Sequence, residues 1–95
     1  MEFLVNIAVN IPHDVPDTKR ADLFKAEAQR AKELADKGTL IRLWRIPGRR
    51  ENCGLWRAGD ASELHAALAS LPMFPYLDIN VTALGAHPSD PAAAS

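Results

Sequence analysis

The stretch SLPMFPYLDINV, residues 70–81, is where a helical pattern gives way to an extended one, and its reading decides the fold. Pro72 and Pro75 lack amide donors and fix their own φ, so a helix arriving at Leu71 cannot pass them. From Tyr76 to Leu84 apolar and polar residues alternate, the period of a strand with one apolar face. Upstream, Asp60 and Glu63 have capping-box spacing and introduce Leu64, Leu68 and Leu71 on one helical face, which predicts a helix over 61–71. The second half of the chain therefore ends helix, proline-aromatic connector, strand.

The first half reads in the same way. Phe3, Val5, Ile7, Val9 and Ile11 alternate with Leu4, Asn6, Ala8 and Asn10, which predicts a first strand; PHDVPD then breaks the extended run. A helix is expected over 18–37, with Gly38 as its C-cap. TLIRLWRI (39–46) is rich in strand formers, Pro47-Gly48 makes a turn, and NCGLWR (52–57) returns antiparallel. The order is β-α-β-β-α-β in one domain spanning 1–95, an α+β arrangement with an antiparallel four-stranded sheet and two helices on one face. Its other sheet face needs cover, and a sheet-to-sheet dimer provides it if that face is apolar. Residues 88–95 have no periodicity and are expected to be mobile or held by a neighbouring subunit.

Composition narrows the partners. Hydrophobic residues make up 47% and charged residues 24%, ordinary values for a chain that folds. Eleven Lys and Arg against 12 Asp and Glu create no positive field for nucleic acid. No apolar run suits a membrane or a leader, and the one cysteine, Cys53, cannot close an internal disulfide, so a cytoplasmic protein is expected. His13 and His87 lack ligand spacing with Cys53, so no metal is expected, and no glycine-rich phosphate loop or serine elbow suggests a cofactor.

Candidate chemistry lies on the first helix and the strands. On a helical wheel Leu23, Phe24, Ala28, Ala31, Leu34 and Ala35 share a stripe, and Glu27 falls inside it. Burial raises the pKa of such a carboxylate, which suits a group that must take and return a proton near neutrality. The competing reading is a structural ion pair with Arg45 or Arg20. Arg42 and Arg45, three apart on a strand, point to opposite faces, so only one can enter a given pocket; an arginine there suits a planar carboxylate. His65 flanks the leucine stripe, as a pocket residue or a packed structural one. Asn6 lies on the second face of the first strand, bordering either a polar cavity or solvent.

FLVNIAVNIP, the helix with KAE around Glu27, LWRIPG, ELHAALASLPMFPYLDINV and HPSD, taken in this order, resemble the muconolactone Δ-isomerase family over nearly the whole chain. The resemblance implies a ferredoxin-like subunit, tight dimers and a ring-like decamer with pockets near subunit contacts. It implies a cofactor-free isomerase of the β-ketoadipate pathway of aromatic breakdown, turning muconolactone into 3-oxoadipate enol-lactone. Glu27 would be the proton-transferring base, Arg45 the anchor of the lactone's carboxylate, and residues 72–76 a rigid connector that brings Phe74 and Tyr76 to the cleft, with His65 and Asn6 as further substrate contacts. Arg42 stands where the family often has histidine, and ENC (51–53) where it often has ANY. A paralogue acting on another lactone, or a non-catalytic ligand-binding or assembly module, are the alternatives.

Overall fold

The computed structural model describes residues 1–94 and has the expected element order: β1 (Glu2–Val9), α1 (Asp17–Asp36), β2 (Leu40–Arg45), β3 (Glu51–Arg57), α2 (Ala61–Ala69) and β4 (Leu77–Leu84). Short 3₁₀ turns occupy Phe74–Tyr76 and Pro91–Ala94. The strands form one antiparallel sheet in the order β2-β3-β1-β4, the ferredoxin-like topology.

Both helices end for identifiable reasons. α1 closes in a Schellman arrangement: Gly38 takes φ +80°, its amide donates to Ala35 O (3.0 Å), and the Thr39 amide donates to Leu34 O (2.9 Å). α2 opens with Asp60 Oδ1 accepting from the Glu63 amide at 2.8 Å, while Glu63 reaches back to the amide of Gly59 (3.1 Å). The helix is two residues shorter than expected. Ser70 caps it, its hydroxyl donating to Ala67 O (2.6 Å) and accepting from Arg30 Nε of α1 (2.9 Å), and Leu71 precedes Pro72, which disfavours the α region for it.

Pairing places Phe3, Val5 and Ile7 of β1 opposite Trp56, Gly54 and Asn52 of β3, all on the side covered by the helices. Phe3, Val5, Ile7 and Trp56 form the core there with Leu34 of α1 and Leu64, Leu68 and Leu71 from α2 and its end. In β2 the register shifts between Leu40 and Arg42, a bulge. Leu40 is opposite Trp56, yet beyond the bulge it is Leu43 and Arg45, not Arg42 and Trp44, that continue on the helix side, opposite Gly54 and Asn52. The open sheet face mixes Leu4, Leu55, Trp44 and Leu84 with Asn6, Asn80, Thr82 and Arg42, whose guanidinium lies over the Trp44 ring at 4.9 Å.

The connector is tied down at both ends. Tyr76 O accepts from the Asn10 amide (2.8 Å), just past the end of β1, and the Phe74 and Tyr76 amides donate to Leu71 O and Met73 O. The first strand ends at Val9, short of the alternation that ran to Ile11. Residues 80–92 are exposed; Ser95, the last residue of the expected tail, lies outside the described residues.

Candidate active site

The inward stripe of α1 is not quite the one the apolar residues suggested. Phe24, Ala28 and Ala35 are exposed, and the residues turned inward are Arg20, Leu23, Glu27, Arg30, Ala31 and Leu34. At about 100° per residue these six fall within about 100° of one another, so three charged side chains share the strip that faces the sheet and α2.

Glu27 is half-buried, and its Oε1 accepts from the backbone amide of Met73 at 3.1 Å, in the connector. No arginine pairs with it: among the described residues the ion pairs are Arg30–Glu33, Arg49–Glu51 and Arg57–Glu2. Desolvation pushes its pKa above the ordinary glutamate value, and the Met73 N–H, which favours the charged form, offsets part of this. A carboxylate so placed combines a raised pKa with a fixed aim.

Around Glu27 the connector assembles an aromatic edge. Phe74, next to Met73, is half-buried and meets the exposed His65 of α2 edge-on, with ring centroids 6.0 Å apart and planes at 90°. Tyr76 is half-buried in the same 3₁₀ turn. The Glu27–Met73 hydrogen bond and the Phe74–His65 contact thus fall on successive residues of the connector.

Arg45 occupies a second region on the same side of the sheet. It lines an open cleft of about 700 Å³ between the first turns of α1 and the β2–β3 hairpin, with Arg20, Phe24, Leu43, Arg49 and Asn52 among its walls. Glu27 does not line this cleft; Phe24, one turn before it, does. Phe24 and Leu43 are 50% and 52% exposed, an apolar mouth in a single chain.

Asn6 does not join the site within one chain. It is exposed on the open face, between Cys53 and Asn80 in the ladder, because residue 6 alternates with the core residues Val5 and Ile7. Two residues stand in the cleft instead: Arg20, expected only as a candidate ion-pair partner of Glu27, and Asn52, not expected in the site. Arg20 Nε and Asn52 Oδ1 are both buried and have no hydrogen-bond partner among the described residues. Arg20 was legible on the wheel, seven residues before Glu27; Asn52 needed the strand pairing. No group of three His, Cys, Asp or Glu among the described residues is placed to hold a metal ion.

The chain matches a family model described as muconolactone delta-isomerase over residues 1–90. It is 39% identical over 89 residues to a muconolactone Delta-isomerase of Cupriavidus pinatubonensis, covering 94% of this chain and 97% of that one. A Pseudomonas aeruginosa muconolactone Delta-isomerase is likewise 39% identical, over 90 residues, covering 94% and 93%. Among solved structures, a crystal structure of muconolactone isomerase superposes with a TM-score of 0.89 at 37% identity, covering 96% of this chain and 95% of that one.

Proposed function

The chain belongs to the muconolactone delta-isomerase family, and from that premise we propose that it isomerises muconolactone to 3-oxoadipate enol-lactone, with Glu27 as the base. The observation that carries the reading is the half-buried Glu27 carboxylate, raised in pKa, free of any ion pair and aimed by the Met73 amide.

Substrate and product are isomers, so the reaction moves one proton and one C=C bond and leaves the redox state unchanged. The ring proton to be removed is acidic because the anion left behind is conjugated with the lactone carbonyl. Glu27 takes it, giving a dienolate-like species and a neutral carboxylic acid, and returns it at the carbon next to the carbonyl. A carboxylate in a partly desolvated place loses little on becoming neutral, so the two forms are close enough in energy for both transfers. Arg45, on the same side of the sheet, holds the substrate's carboxymethyl arm through charge-assisted hydrogen bonds. Phe74, Tyr76 and His65 close the apolar side around the ring, where low polarity keeps the base strong.

Glu27 and Arg45 lie in adjoining regions rather than one closed pocket, and Phe24 and Leu43 leave the cleft mouth open. A neighbouring subunit that covers this mouth completes the site, in a dimer built on the open sheet face and a larger ring, a decamer. Asn6, on that face, contributes to substrate binding only through such an assembly. Among the described residues no helix is long and apolar enough to cross a membrane; a cytoplasmic reaction is a separate part of the proposal.

The test is direct. Purified protein mixed with muconolactone should change the absorbance of the conjugated lactone with ordinary enzymatic turnover, and Glu27→Gln should abolish most of it. No turnover by the parent protein at micromolar concentration would refute the assignment.

A further inference from the structure

We propose that Arg20 of α1 is a second donor to the substrate carboxylate, so that the anionic arm is gripped from the helix by Arg20 and from the sheet by Arg45. The proposal rests on the reading of the cleft as a lactone-acid site and specifies how that site selects a charged ligand.

Four observations lead to it. Arg20 lies on the inward stripe of α1, where a guanidinium is partly withdrawn from solvent. Its Nε is buried with no acceptor. Its one side-chain hydrogen bond among the described residues, from Nη2 to Pro12 O, is long at 3.4 Å, and it has no ion-pair partner there. It lines the same cleft as Arg45.

An unused buried donor costs the full desolvation of the group, so a site retains one where a bound group supplies the acceptor. A planar carboxylate does so: one oxygen takes the Nε–H and the other a terminal N–H, the paired geometry that guanidinium favours.

Asn52 completes the arrangement as a positioning residue. It faces Arg45 directly across the β2–β3 ladder on the helix side, and its buried Oδ1 lacks a donor. Cross-strand neighbours have Cβ atoms about 5 Å apart, within reach of an arginine N–H. When Arg45 turns into the cleft to meet the carboxylate, a second of its N–H groups can satisfy Asn52 Oδ1, which orients the fork. Along α1, Arg20 and Glu27 share nearly one angular position, about 10 Å apart in rise, so anchor and base address opposite ends of one small ligand.

The experiment pairs a protein change with a ligand change. kcat/KM is measured for the parent, Arg20→Met and Arg20→Lys with muconolactone and with its methyl ester, whose arm is uncharged. Arg20→Met should lose about tenfold or more on the acid and less than threefold on the ester, the scale of one charge-assisted contact. Arg20→Lys should recover part of the loss on the acid, since charge remains but the fork is gone. Equal losses on acid and ester would overturn the proposal and make Arg20 a support for the loop at Pro12. If Arg20→Met fails to fold, the acid-to-ester ratio of Arg20→Lys decides in the same way.

Should the parent not turn over muconolactone, the proposed reaction fails, but the anchor is still testable. Calorimetric binding of the saturated lactone acid and of its methyl ester is then compared for parent and Arg20→Met. A preference for the acid that Arg20→Met removes supports the anchor. A preference that survives, or none in the parent, overturns it.

Discussion

Glu27 is placed where function and stability pull in opposite directions. Its raised pKa means that the folded protein binds a proton more tightly than the unfolded chain does, so the stability linked to Glu27 is fully present below the unfolded value and is lost as pH rises through the folded one. Glu27→Gln removes this charge and keeps an oxygen for the Met73 amide. It should therefore raise Tm at neutral pH, with the gain over the parent shrinking to nothing as the pH falls below the ordinary glutamate range. The same variant should lose roughly 10²-fold or more in kcat, the usual scale for a positioned base. In the parent, kcat/KM should decline as pH falls through a midpoint above the ordinary glutamate value. The arginines give a matching contrast. Arg45 faces the helix side, whereas Arg42 lies over Trp44 on the open face. Arg45→Met should cost about tenfold or more in kcat/KM and Arg42→Met little; the reverse result would move the carboxylate to the other side of the sheet.

At the scale of elements, the β2–β3 hairpin sets the cleft wall and depends on one close approach. A Cβ at Gly54 would lie 2.7 Å from Trp56 Nε1 and 3.4 Å from Arg42 O. Trp56 is only 2% exposed, so its indole has no free space to yield. Gly54→Ala should destabilise the fold by about 1–3 kcal/mol through overpacking, measured by urea unfolding. Gly38 differs in kind. Nothing crowds a Cβ there, but φ of +80° ends α1 in a left-handed turn, so Gly38→Ala should cost about 1–2 kcal/mol from backbone conformation alone. Comparable losses from the two variants would have separate origins, and only Gly54→Ala should perturb the near-ultraviolet signal of Trp56.

The single chain is more extended than a compact domain of its length. Its radius of gyration is 14.9 Å and its longest extent 51 Å, against about 12 Å expected for a compact chain of this length. β4 is an edge strand that leaves Val81 and Leu84 46% and 40% exposed, and residues 85–92 after it are exposed throughout. Apolar area of this kind on a 10.4 kDa chain is best removed from water by copies of itself. Light scattering should give a mass several times that of one chain, with a decamer as the expected size. A monomer at micromolar concentration would leave the cleft mouth uncovered and contradict a site completed by assembly.

Much of this was written locally. The prolines at 72 and 75, the Asp60–Glu63 capping box, Gly38 and the period-two runs act through neighbouring atoms, and each was legible as a sequence pattern with its consequence. Glu27 was legible too, as a charge inside an apolar stripe. What the tertiary structure alone decided is which way things face. The burial of Leu40 with strict alternation would aim Arg42 inward; the bulge after Leu40 reverses the phase and sends Arg45 there, and no local propensity specifies a bulge. The inward stripe of α1 is set by what the helix packs against, which turned Arg20 in and Phe24 out. The partner of Glu27 is likewise a matter of docking, since Met73 lies 46 residues away and offers only its backbone amide, a donor that every non-proline residue carries and no sequence pattern marks.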